Sequence, residues 1–330
     1  MHGGSRYVVP DERGTEIAAE KTRQGLAKAV MALFWTSGYI VGALATAHTP
    51  ALTVSFWRLL VATPLMAAIA LIAEARWPRG AELGWVVLAG VLLQAVQFSG
   101  VYTALQVGAP AGLVALLAGT SPVLVAIGGS IFFDEHLDRR QWIGSAIGVL
   151  GVVFAVADEM QGALTVGGLL LAVLGVGGLA SGTLVQRHRV GAVDPRSANT
   201  IQLAASAVFM AAIAGIGPGF SVPITYAALA PIVWLTLGLS ICAILLFFWL
   251  LRRQKGGEAT SFLYVVPALT AIAAVPVLGQ SLSAGVVVGL VLGLVGVNMV
   301  GRGRAQRSPG LRSGHVQKHQ NSLQLRSTGQ

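Results

Sequence analysis

The chain has 330 residues, 55 % hydrophobic and only 11 % charged, with 42 glycines and a formal charge of +9. That balance is too apolar for an ordinary water-soluble domain of this length. The basic residues are scattered through short segments rather than gathered in one module with interleaved aromatics, which argues against nucleic acid as a partner. A single cysteine, Cys242, excludes an intrachain disulfide and a cysteine-based metal cluster.

Residues 1–26 are polar, without the apolar run of a cleaved signal peptide, and are expected to form an N-terminal cytoplasmic tail. Ten apolar segments follow at 27–47, 52–73, 83–105, 111–132, 141–157, 164–186, 197–215, 227–251, 259–279 and 284–300. Each is bounded by charges or by a Pro or Gly turn. At about 20 residues per crossing, they leave no room for a separate soluble domain. The expected fold class is an all-α integral membrane protein with ten transmembrane helices. Residues 301–330 are polar and basic, too poor in large apolar groups to fold alone, and are expected to be a disordered cytoplasmic tail drawn to acidic membrane lipid.

Of the 22 Lys and Arg residues, all but Arg58 lie in a tail, in a loop on one side of this ten-span arrangement or, for Lys28, at the segment end on that same side. Because short cytoplasmic loops carry the excess of Lys and Arg, both termini are expected inside.

The chain also repeats itself. Pro122, Glu135, Leu137, Gly144, Gly148 and Gly151 recur at a constant offset of 145 as Pro267, Gln280, Leu282, Gly289, Gly293 and Gly296. Residues 27–157 and 164–300 are therefore read as two five-helix repeats. An odd number of crossings turns the second copy upside down, and inverted repeats place a substrate site near the midplane between them.

These residues resemble a known family. A helix with Pro at its centre, the run Phe133-Asp134-Glu135-His136-Leu137 and the Gly-spaced helix opening Trp142-Ile143-Gly144 are similar to the EamA family of the drug/metabolite transporter superfamily. Trp35 and the stretch Phe56-Trp57-Arg58-Leu59 add to the likeness. Gln280 departs from it, standing where the family pattern usually has Glu. The resemblance implies a ten-helix carrier of the bacterial inner membrane, commonly an exporter of amino acids, other small metabolites or drugs, with no cofactor.

Arg58 lies about seven residues into the second segment, where an isolated Arg is unfavourable by up to ~3 kcal/mol. Two readings stand for it: a cation holding an anionic group of the cargo, or a side chain that snorkels to lipid phosphate or binds backbone carbonyls. Pro64 frees the Leu60 carbonyl and offers the second reading a local partner. Segment 3 carries Gln94, Gln97, Ser99, Tyr102, Thr103 and Gln106. At 100° per residue the last four share one face, with Gln94 and Gln97 on an adjacent one, suited to a wet cavity or to interhelical hydrogen bonds. Trp35 and Ser37 in segment 1 and Tyr264 in segment 9 are further candidates for substrate contact, or for packing and interfacial anchoring.

Pro122 and Pro267 are candidate hinges, since each interrupts a helix near mid-span, though membrane helices also tolerate Pro where neighbours satisfy the backbone. Glu135 is a candidate inner gate residue, or one member of a capping and pairing loop. His136 and His188 are expected to be solvated loop residues, and no spacing suggests a metal site. Gly144, Gly148 and Gly151, with Gly289, Gly293 and Gly296, form small-residue stripes for helix packing, within a repeat or in a homodimer. A competing class, an intramembrane lipid-modifying enzyme, would need a nucleophile with a base or a metal cluster inside the spans; a membrane scaffold without flux is the other alternative.

Overall fold

The computed structural model describes the backbone of residues 12–162, 164–253 and 261–307, and the side chains of 20–162, 164–250, 253, 262–263 and 265–300. No strand occurs among the described residues. Eight helices are long and apolar enough to cross a membrane. We label the helices α1 (Glu12–Thr46), α2 (Ala51–Ile72), α3 (Ala81–Gln106), α4 (Ala111–Phe132), α5 (Arg139–Glu159), α6 (Val166–Arg189), α7 (Pro195–Ile216) and α8 (residues 226–253). Two shorter apolar helices follow, α9 (Val266–Leu278) and α10 (Ala284–Arg307).

Three boundaries differ from the sequence reading. α1 begins at Glu12, inside the expected tail, because Glu, Ala, Lys and Gln favour helix and the turns simply continue out of the apolar stretch. α10 likewise runs past 300 to Arg307; the rest of the expected tail, 308–330, lies outside the described residues, as do residues 1–11. The ninth segment opens as a 3₁₀ turn, Ser261–Tyr264, and becomes α-helix only at Val266. Pro267 stands in the first turn of that helix, where its missing N–H costs no intrahelical bond, rather than in mid-helix.

Local chemistry fixes the helix starts. Asp138 and Gln141 form a reciprocal capping box at α5. Thr165, Asp194 and Thr225 each accept from a backbone N–H in the first turn of α6, α7 and α8. α4 and α9 end alike, each followed by a left-handed residue, Asp134 (φ 52°) and Gly279 (φ 66°). The next N–H then reaches back to close the end, Glu135 to the Gly129 carbonyl at 3.1 Å and Gln280 to the Ala274 carbonyl at 3.3 Å.

α4 lies at the centre. Of its most apolar window 72 % is buried, against 33–44 % for the other candidate spans. Its sequence Ala111-Gly-Leu-Val-Ala-Leu-Leu-Ala-Gly119 is apolar on every side, as an interior helix requires. Large exposed side chains such as Leu71, Ile72, Phe132, Val153, Leu170 and Val208 lie outward on the surrounding helices. A surface this apolar has lipid, not water, as its solvent.

The glycine stripes bring α5 and α10 into backbone contact. A Cβ on Gly144 would stand 2.8 Å from the Gly296 carbonyl oxygen, and one on Gly151 would stand 2.9 Å from that of Gly289. α3 packs on α6 in the same way, through Gly175 and Gly178. Such contacts supply the close dispersion packing that holds helices together where lipid is as apolar as their side chains.

Candidate functional site

The second helix carries Trp57 and Arg58 in adjacent positions, so they point about 100° apart. Trp57 donates its indole N–H to the Phe220 carbonyl at 2.8 Å, tying α2 to the α7–α8 connection, and Thr53 reaches the Gly219 carbonyl at 2.8 Å. Arg58 turns inward and is 4 % exposed. Its Nε donates to Ser240 Oγ of α8 at 2.9 Å, and its Nη1 donates to Tyr102 Oη of α3 at 2.8 Å. The guanidinium carbon sits 3.9 Å from the centroid of the Phe98 ring. No acidic side chain pairs with it among the described residues. Neither lipid phosphate nor the Leu60 carbonyl is needed to account for its position: two hydroxyls and an aromatic face hold it.

Both hydroxyl-bearing helices change their winding beside Arg58. α3 is π-helical over Val91–Val96, ending two residues before Phe98, and α8 is π-helical over Trp234–Ala243, which contains Ser240. The wider turn lets Ser240 Oγ donate to the Leu235 carbonyl five residues back, at 3.2 Å. π turns commonly mark functional positions within helices. The one in α3 shifts Gln94 off the 100° projection of segment 3, while Ser99, Tyr102, Thr103 and Gln106 keep it in the regular turns of Gln97–Gln106. Tyr102 is buried, with Gly42 of α1 at its ring, where a Cβ would come within 2.7 Å. Gln94, Gln97, Ser99 and Thr103 are half-buried and Gln106 is exposed. Gln106 serves the backbone instead, accepting from the Ala51 N–H at the start of α2 at 3.0 Å.

Arg58 and Tyr102 are therefore joined, while the segment 1 candidates face other partners. Ser37 donates to the Phe34 carbonyl at 2.7 Å and accepts from the Trp234 indole N–H at 2.9 Å. Trp35 packs on Phe262 and Phe247, with ring centroids 5.6 and 6.1 Å away. The Tyr264 side chain lies outside the described residues.

At the opposite end of α4, the Glu135 carboxylate accepts from Arg187 of α6. His188 Nε2 lies 3.2 Å from the same oxygen, and His188 Nδ1 lies 3.0 Å from the Leu184 carbonyl. The His188 ring stacks on Phe133, centroids 3.8 Å apart and planes at 9°. His188 is thus a helix residue packed between an aromatic ring and a carboxylate, not the solvated loop residue its basic neighbours suggested. Gln280, at the matching place after α9, makes a different contact: its Oε1 accepts from the Ala111 N–H at the start of α4, at 2.9 Å.

α4 breaks at Thr120, between Gly119 and the turn that opens with Ser121-Pro122. Thr120 Oγ1 donates at 2.6 Å to the Leu117 carbonyl, which also accepts from the Thr120 N–H at 3.1 Å. A cavity of about 160 Å³ lies here, bounded by Gly119, Thr120, Pro267 and α10 from Leu290 to Val297. Its walls are almost wholly apolar, so it offers volume without polar recognition, whereas the Arg58 cluster offers recognition in a closed setting.

Sequence reasoning missed a polar column on α7. Asn199, Gln202 and Ser206 are all buried, and the spacing i, i+3, i+7 puts them on one face. Gln202 donates to Gln186 of α6 at 2.6 Å. Asn199 Nδ2 and Ser206 Oγ are buried without a hydrogen-bond partner. The helical spacing of three small polar residues was the available signal, hidden by their apolar neighbours.

The sequence matches the description "EamA-like transporter family" over residues 25–157 and again over 166–302. Among relatives, an uncharacterized transporter, YvbV of Bacillus subtilis, is 26 % identical over 87 % of this chain and 95 % of its own length. The inner membrane transporter YedA of Escherichia coli is 27 % identical over 76 % of this chain and 81 % of its own. A protein named "Probable terminal-alkyne amino-acid exporter" from Streptantibioticus cattleyicolor is 28 % identical over 78 % and 88 %. A crystal structure superposes with a TM-score of 0.60 at 17 % identity, covering 87 % of this chain and 99 % of that one, which supports the fold. Two matches of the family in tandem, over helices of membrane-spanning length, make this chain a multi-pass membrane transporter that belongs to the EamA-like transporter family.

Proposed function

We propose that the protein is a secondary transporter that exports a small metabolite, an amino acid or related compound, across the bacterial inner membrane by alternating access. In this reading the chain crosses ten times as two inverted five-helix repeats, with both termini in the cytoplasm. The observation that carries it is a reciprocity of contacts. Shifting the Gly144–Gly296 contact by the repeat offset of 145 produces the pair Gly289–Gly151, which is also a glycine contact between α5 and α10. Two antiparallel helices that exchange contacts in this way are what a two-fold axis lying in the membrane plane requires. The π segments support the same reading, since Val91–Val96 shifted by 145 falls within Trp234–Ala243. So does the left-handed pair Asp134 and Gly279.

Trp35, Ser37, Arg58, Gln94, Gln97, Tyr102 and Tyr264 are the residues we assign to the cargo route. Glu135 is assigned to an inner contact between repeats, and Pro122 and Pro267 to the hinges. The amino-acid class draws support from relatives named as an amino-acid exporter and as "Probable amino-acid metabolite efflux pump". Counterflow of radiolabelled leucine, phenylalanine and threonine into proteoliposomes loaded with an amino-acid mixture tests the reading. Uptake above protein-free vesicles is expected for at least one of them, and none above that background for these or for a wider metabolite panel would overturn it.

A further inference from the structure

We propose that Arg58 and Tyr102 together form the recognition site for a carboxylate group on the cargo, so that the transported class is anionic at one end. The inference rests on the carrier reading above and adds to it the chemistry of the ligand.

Arg58 is a full charge buried at 4 % exposure, and its partners among the described residues are neutral. A buried ion left without a counter-charge is destabilising by several kcal/mol. A guanidinium presents two hydrogen-bonding edges that share Nη2, one with Nε and one with Nη1. Here Ser240 takes Nε and Tyr102 takes Nη1, while Nη2 makes no hydrogen bond to another described residue. The tyrosine hydroxyl accepts from Arg58, which leaves its own proton to donate, and it donates no hydrogen bond to a described residue. Ser240 differs, because its proton is already given to Leu235. The Nη2–H and the Tyr102 O–H are therefore two open donors on one hydrogen-bonded pair, next to a positive charge. A carboxylate, with two oxygens in one plane, fits such a pair. Phe98 against the guanidinium face keeps the fork from rotating out of plane.

The site also has the placement that coupling of binding to movement requires. Arg58 and Tyr102 come from the first repeat and Ser240 from the second, and two of the three helices change winding beside it. A carboxylate bound at the open donors bears directly on the Arg58–Ser240 contact that ties the halves.

The test uses full-length protein in proteoliposomes and compares uptake of an amino acid that the wild type carries with uptake of its C-terminal amide, which has the same side chain and no carboxylate. The wild type is expected to prefer the acid by at least about tenfold, roughly the discrimination of one charge-assisted hydrogen bond. Arg58→Gln is expected to reduce that acid-to-amide ratio about tenfold or more, and Arg58→Lys to reduce it less. If Arg58→Gln does not fold, Tyr102→Phe decides, since it removes only one oxygen, and it is expected to lower the ratio severalfold. Equal wild-type uptake of acid and amide would overturn the proposal, and so would an unchanged ratio in Tyr102→Phe and every folded Arg58 variant. Neither result touches the carrier reading, which fails only if the wild type moves no cargo.

Discussion

Gly144 and Gly296 meet backbone to backbone: a Cβ on Gly144 would lie 2.8 Å from the Gly296 carbonyl oxygen, and one on Gly296 would lie 2.7 Å from the Gly148 nitrogen. Backbone atoms cannot rotate aside as a side chain does, so a methyl group here forces α5 and α10 apart. Gly144→Ala and Gly296→Ala are each expected to destabilise by about 1–3 kcal/mol, the usual range for overpacking. Gly148→Ala is the control, because its Cβ would meet only the Val123 methyl at 3.5 Å, and alanine is the better helix former by about 0.5–1 kcal/mol. Melting temperatures of the purified variants in detergent measure the difference. Equal melting of Gly144→Ala and Gly148→Ala would mean that the helices are not in contact.

Gln280 supplies the start of α4 with an acceptor from the connection after α9. Gln280→Ala orphans the Ala111 N–H and is expected to destabilise by about 0.5–2 kcal/mol, as for loss of a helix cap. Gln280→Glu, which restores the residue usual in the family, keeps the acceptor and sets a negative charge at a helix N-terminus, so it is expected to match or exceed the wild type. A lower melting temperature for Gln280→Glu than for Gln280→Ala would refute the capping role.

The contact of Glu135 with Arg187 and His188 ties the end of α4 to α6. Because the Arg187 side chain is 43 % exposed, screening limits the pair's contribution, and Arg187→Met is expected to destabilise by no more than about 1 kcal/mol. The kinetic effect of fixing it is expected to be larger. With Cys242→Ser as background, cysteines at 135 and 187 should be bridged by a bis-methanethiosulfonate cross-linker long enough to replace the two side chains, uptake should stop, and reductant should restore it. Full uptake by the cross-linked protein would remove Glu135 from the gate.

Topology is open to chemical labelling. Single cysteines introduced on the Cys242→Ser background at His48 or Gly217 are expected to react with an impermeant maleimide on intact cells. A cysteine at position 310 should react only after the cells are opened. Labelling of position 310 from outside would reverse the orientation.

A large part of the architecture was written in the sequence. Lipid demands long apolar runs and the translocation machinery sorts Lys and Arg, so composition and charge alone marked the spans and set an orientation to test. The recurrence of Pro122, Gly144 and Gly151 at Pro267, Gly289 and Gly296 marked the duplication. Arg58 stood out because a charge inside an apolar run is unfavourable there unless a partner holds it. What the sequence left open was which side chains meet. Ser99, Tyr102, Thr103 and Gln106 do share a face of regular helix, but the neighbours they meet differ along it: Tyr102 goes to Arg58 while Gln106 caps α2. Ser240 could not be singled out beforehand, because a serine in a membrane helix usually bonds its own backbone, and only the crossing of α2 and α8 brings it to a guanidinium. Gln280 and Glu135 occupy equivalent positions yet reach a helix start in one case and a basic helix end in the other. Such pairings depend on contacts between residues 44 to 182 positions apart, and only the packed helices determine them.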